Sequence, residues 1–170
     1  GIQVPVINET VDDLLIFVTI DSIDGPGGIL GSAGPCVYRG GSRFTAVGAM
    51  RFDLADIGQL EANGVFSAVI LHEMGHVLGV GSLWEIVTPS LLVGAGTTNP
   101  YFTGANGVFR FDMNGGSSYP GTPVPVENTG GPGTRDSHWR ERVFRNELMS
   151  SVIAGARNPL SRLTVASLGD

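Results

Sequence analysis

The residues best suited to chemistry in this chain are His72, Glu73 and His76, spaced His-Glu-x-x-His inside the apolar run 69–79. On a helix, residues four apart lie one turn above each other on the same face. Both imidazoles can then address one cation, while Glu73, about 100° round the helix, reaches a water bound to it. Two neutral nitrogen ligands beside a carboxylate make a hydrolytic zinc centre with Glu73 as general base. The competing reading is two unrelated histidines on a buried helix. Against it, two of the chain's three histidines fall in this pattern, where unpaired imidazoles would be costly.

The elements that must hold these residues are legible in outline. Run 14–20 is continuously apolar and partly β-branched, which predicts a strand buried on both faces. Segment 21–34 holds many glycines and Pro26 and reads as a loop. Within it, Asp21-Ser22-Ile23-Asp24-Gly25 hints at a cation loop, but no glutamate closes it as an EF-hand requires. Calcium therefore has no clear motif, and turn chemistry is the reading. Segment 44–52 predicts a second strand, with Ala46, Gly48, Met50 and Phe52 on one face. Asp53 caps a helix over 54–61, with Asp56 near its positive end.

Asn63-Gly64 ends that helix, and Asn63 is read as the cap of the next, which runs to Leu78. This second helix is apolar nearly all round and is expected to be central and buried. Gly79 stops it in the left-handed conformation. From 89 to 133 the chain is rich in Gly, Pro, Asn and Thr, a length that implies function or small elements of its own. Order returns over 137–149, and Ser161 caps a last amphipathic piece through Leu163, Val165, Ala166 and Leu168. That piece stops after few turns, so the natural chain is expected to extend beyond Asp170.

With 170 residues, 42% hydrophobic and 15% charged, the chain reads as a single domain over 1–170 with a sizeable core. A net charge of −6 argues against nucleic acid or an anionic membrane as partner. The single Cys36 cannot make an intrachain disulfide and reads as a small buried hydrophobe. No apolar run approaches the roughly 18 residues of a transmembrane segment. No charged region followed by an apolar one stands at Gly1, so any signal or pro-segment is expected to lie outside this sequence.

A catalytic zinc needs a third protein ligand and one position open to water. His138, 62 positions beyond His76, is one candidate. Glu85, Glu127, Asp136, Glu141 and Glu147 are its rivals. Gly133-Thr134-Arg135-Asp136 is similar to the Gly-Thr-x-x-Asp element of aspartate-ligated zinc peptidases, but is one residue short.

His72-Glu73-x-x-His76-x-x-Gly79 resembles the metzincin clan of zinc peptidases, in which the glycine turns the chain toward a third histidine. The usual place for that histidine is Ser82 here, a departure. The leishmanolysins carry a long insertion at this point, and Ser137-His138-Trp139 followed by Asn146-Glu147-Leu148-Met149 is similar to their third-ligand and Met-turn segment. The resemblance covers about half the chain, with the middle loop poorly matched. It implies an α+β, metzincin-like zincin domain: an upper subdomain of mixed twisted sheet and helices, about 1–79, and an irregular lower one, about 80–170. It further implies one Zn²⁺ held by His72, His76 and His138, with Gly79 at the turn and Met149, 11 positions after His138, beneath the metal.

Some metzincins carry a tyrosine two positions after that methionine; Ser151 stands there, so three histidines and water are expected. Glu147 is a candidate acceptor orienting an imidazole. An edge strand that binds extended substrate is implied, with Ala46, Val47, Gly48, Ala49 and Met50 as candidates. Residues 150–153 suggest an apolar, small pocket wall. The implied activity is zinc-dependent endopeptidase action on peptide or protein substrates, made as a precursor with a pro-segment and acting in secreted or cell-surface form. Cys36 takes no part in a cysteine switch. The alternative is a zinc-bearing protein-recognition domain without proteolysis, against which an intact Glu73 speaks. A zinc hydrolase acting on something other than peptides is the lesser reading.

Overall fold

A computed structural model describes residues 4–120, 123–153 and 155–170. The chain is α+β and divides into two compact units, Gly1–Gly79 and Val80–Asp170.

The first unit runs β1 (Leu15–Asp21), β2 (Gly31–Tyr38), β3 (Thr45–Asp53), α1 (Leu54–Ala62) and α2 (Phe66–Leu78). Its sheet has the order β1-β3-β2, with β1 parallel and β2 antiparallel to β3. The strand buried on both faces is therefore β3, whose Val47, Ala49, Met50 and Phe52 are all core. The sequence reading gave that place to 14–20. Instead β1 is an edge strand, with Val18 and Ile20 56% and 53% exposed. An unbroken apolar run does not distinguish the two cases, because it records side-chain type and not the number of neighbours. The other edge, β2, lies where a loop was expected up to Gly34. Its glycines and Pro35 are tolerated because an edge strand leaves one row of N–H groups outside the ladder. Cys36, on this strand, is only half-buried.

Helix α2 packs on β2 and β3. Gly48 is what lets it come close: a Cβ there would lie 2.4 Å from Val77 Cγ1. The Thr45 hydroxyl donates to the Val77 carbonyl at 2.7 Å, and Phe66 meets Phe52 edge-on at 5.6 Å. Asn63 does not cap α2. It closes α1, its N–H reaching the Gln59 and Glu61 carbonyls, with Gly64 at φ 68° behind it. Val65 then begins α2 with no side-chain cap. Burial of α2 is one-sided, since Leu71 and Leu78 face solvent. Gly79 ends it at φ 125°, a positive value wider than the left-handed helical region.

Asp53 caps α1 through the Ala55 N–H, as expected, and also gathers the preceding loop. Its Oδ2 accepts from the N–H groups of Ile23, Asp24 and Gly25 at 2.9–3.2 Å. Asp56 holds the Gly27 N–H. Of the acidic residues near 21–25, Asp24 accepts the Ile29 N–H at 3.0–3.1 Å and Asp21 pairs with Arg51 at 3.4 Å.

The second unit has short elements: β4 (Leu92–Val93), β5 (Tyr101–Phe102), α3 (Ala105–Met113), a 3-10 turn (Gly116–Ser118), β6 (Val124–Pro125), α4 (Glu141–Phe144) and α5 (Arg162–Ser167). The stretch 89–133 does carry small elements, α3 among them. Strands β4, β5 and β6 form an antiparallel sheet in that order. Trp84, Phe102 and Trp139 stack beside it, with ring centres 4.6–5.4 Å apart. Trp139 also donates from Nε1 to Thr164 on α5 at 2.8 Å. Ser161 caps α5 through the Thr164 N–H, and the Asp170 carboxylate takes the Asn106 and Gly107 N–H groups at the start of α3.

Backbone N–H groups, that of Ala55 foremost and then Asp24, outweigh the opposing effect of burial and bring the Asp53 carboxyl down from 3.8 to about 2. A carboxyl lowered on folding stabilises the fold above its unfolded value and loses that contribution as pH falls through the folded one. Asp53→Asn should therefore be less stable than the parent at neutral pH, with the gap closing between about pH 4 and pH 2. Urea unfolding across that range measures it.

Candidate metal centre

The candidate residues are divided between the two units. In the first, α2 carries His72, Glu73 and His76, all at most 8% exposed on a helix whose other buried residues are Val69 and Val77. The i,i+4 spacing brings the two Nε2 atoms to 3.1 Å, the rings crossing at 81°. A tetrahedral zinc with Zn–N bonds of about 2.0–2.1 Å holds two nitrogens roughly 3.3 Å apart. The donors and their separation fit that ion.

Burial raises the Glu73 carboxyl from 4.5 to about 7. Above it runs the start of β2. A Cβ at Gly31 would lie 2.9 Å from Glu73 Oε1, 3.1 Å from the Phe52 ring and 3.2 Å from the Arg51 carbonyl. Gly31 was absent from the sequence reading, hidden in a Gly- and Pro-rich stretch that read as loop. By contrast, Ala46, Val47, Gly48, Ala49 and Met50 belong to β3, which is paired on both sides. An inner strand has no backbone edge to offer an extended peptide, so this assignment is corrected.

In the second unit His138 is buried, its Nδ1 2.9 Å from the Thr134 carbonyl and 3.0 Å from the Ser137 hydroxyl. Its backbone is flanked on both sides. Glu127 donates its N–H to the His138 carbonyl at 2.8 Å, and Trp139 N–H reaches the Met149 carbonyl at 3.0 Å. Met149 is fully buried. Its N–H goes to Glu147 Oε2, and Glu147 Oε1 accepts from Ser161 N–H and the Thr164 hydroxyl. Glu147 therefore ties the methionine turn to α5; the carbonyl of Thr134 is what orients the imidazole.

The other acidic rivals are also accounted for in part. Asp136 Oδ2 accepts the Gly96 N–H. Glu127 accepts from Asn128 N–H, Thr129 N–H, the Thr129 hydroxyl, Glu141 N–H and the Ser151 hydroxyl. Burial alone would raise the Glu127 carboxyl, but these donors, the Thr129 hydroxyl first, bring it from 4.5 to about 2. A carboxylate so fully occupied is a poor candidate for ligation.

A carbonyl oxygen only accepts, so Nδ1 of His138 must carry the proton and Nε2 the lone pair. Nitrogen-15 NMR of the metal-free protein near pH 8 should therefore show His138 as the Nδ1–H tautomer.

Compared with curated proteins, the chain finds no match. Compared with protein families it does: residues 121–170, the segment holding His138 and Met149, match Leishmanolysin, in keeping with the resemblance seen at Ser137-His138-Trp139.

Proposed function

We propose that the chain is a zinc-dependent endopeptidase of the leishmanolysin type, built on a metzincin-like catalytic domain. The observation that carries this reading is the pair of facing imidazoles on α2, 3.1 Å apart with a buried carboxylate beside them. The family match on the segment of His138 supports it. So does the chemistry of the donors, since His72, His76 and His138 offer three imidazole nitrogens, a set that a catalytic zinc takes. In this reading the three histidines are the ligands, Gly79 makes the turn out of α2, and Met149 supports the centre from its buried position.

Zinc at this place supplies Lewis acidity and a bound water of pKa roughly 7. Glu73 takes the proton from the attacking water and returns it to the leaving amine nitrogen. Burial works against the charged form of Glu73, which favours a group that both takes up and gives back a proton. Extended substrate pairs with β2, the edge strand whose Gly31 lies against Glu73, by strand addition. Substrates are peptides or proteins. The family resemblance alone supports action outside the cytoplasm and synthesis with a pro-segment.

Glu73→Ala should keep zinc and fold but lose hydrolysis of a denatured protein by roughly 10²–10⁴-fold. Near-full activity in that variant, or activity in the parent that survives a chelator, contradicts the reading. Gly31→Ala should leave zinc content unchanged and lower kcat about tenfold or more, because the base is displaced from its working position. Zinc analysis and steady-state kinetics on one preparation separate the two effects.

A further inference from the structure

One side chain in the second unit serves neither as ligand nor as base, yet it gathers the chain around His138. Glu127 is 3% exposed. Its main chain brackets the histidine loop, the N–H reaching the His138 carbonyl at 2.8 Å and the carbonyl accepting from Asp136 N–H at 3.0 Å. Its side chain reaches beyond the loop on two sides. Oε1 takes Asn128 N–H and Thr129 N–H at 2.9 Å each, and the Thr129 hydroxyl at 2.6 Å. Oε2 takes Glu141 N–H at 2.9 Å, three residues past His138, and the Ser151 hydroxyl at 3.1 Å, two past Met149.

We propose that Glu127 is the positioning residue of the third metal ligand, one buried carboxylate that fixes the His138 segment and the chain after Met149 in a single register. The inference rests on the reading of His138 as a ligand. Five donors converge on this one group from positions 128, 129, 141 and 151. Arg140 adds to the hold, donating to the carbonyls of Val126 and Pro100 and to Asn99. Its bonds tie the segment after His138 to the residues beside β5 and β6. Those of Glu127 set where the loop that carries the imidazole stands. Loss of the carboxylate would leave His138 on a looser loop, its Nδ1 still bonded to Thr134 but its ring no longer held at one distance from a metal.

The test compares zinc dissociation constants, by competition with a chelator, and metal-free unfolding midpoints for Glu127→Gln, Glu127→Ala, His138→Ala and Asp170→Asn. Asp170 serves as the control because its carboxylate holds the start of α3 and, among the described residues, accepts its hydrogen bonds there. Loss of a group that orients a metal ligand typically costs 10–100-fold in affinity. Glu127→Ala should fall in that range and Glu127→Gln, which keeps one acceptor oxygen, should fall less. Asp170→Asn should keep parental affinity within about twofold even where its unfolding midpoint drops as far. Parental affinity in both Glu127 variants, with His138→Ala weakened, overturns the positioning role alone. Affinity that falls in proportion to the unfolding midpoint in all variants, Asp170→Asn included, also overturns it. Parental affinity in His138→Ala overturns the ligand reading on which the inference stands.

Discussion

The constraint on which this protein depends is the cost of keeping Glu73 inside. Raising its carboxyl from 4.5 to about 7 corresponds to roughly 3 kcal/mol against the charged form. Such a group favours the folded chain while protonated and works against it as pH climbs from 4.5 through about 7. A sequence under selection for stability alone would place an apolar residue there. The chain instead keeps a buried carboxylate on the same helix as two buried imidazoles, with glycines at the points of close approach. Gly31 leaves room over the carboxylate, Gly48 lets the helix lie close on β3, and Gly79 ends it sharply.

The second unit meets a different problem. It has little regular structure to hold a side chain in place, with strands of two residues and helices of four to nine. Rigidity comes from buried polar groups that are saturated with partners. Glu127, Glu147 and Arg140 each bond several separate segments, and the stacked Trp84, Phe102 and Trp139 fill the space between. In a low-dielectric interior, a fully satisfied network specifies one arrangement, and a half-satisfied one is costly.

The part of the candidate site carried by α2 was legible in the sequence, because it is written in local spacing. His72, Glu73 and His76 needed only the helical repeat, and Asp53 and Ser161 only the rules of capping. Strand order was not legible: β1 and β3 are both apolar runs, and nothing in either says which lies inside. β2 escaped notice because Gly31, Gly34 and Pro35 look like punctuation until a neighbouring strand is seen to pair with them. The roles of Glu127 and Glu147 were equally hidden. Their partners lie up to 24 positions away, and a glutamate that organises backbone N–H groups has the same letter as one that binds a metal. His138 was singled out by resemblance, while its Thr134 partner, which sets its tautomer, came only with coordinates.

The measurement that tests the central claim most directly is anomalous diffraction at the zinc absorption edge, from crystals of protein purified without chelator. The account predicts one strong peak bonded to Nε2 of His72, His76 and His138 at about 2.0–2.1 Å, with Glu73 outside bonding distance. A peak ligated by Asp136 or Glu141 in place of His138 would contradict it, as would protein that binds zinc stoichiometrically at some other place.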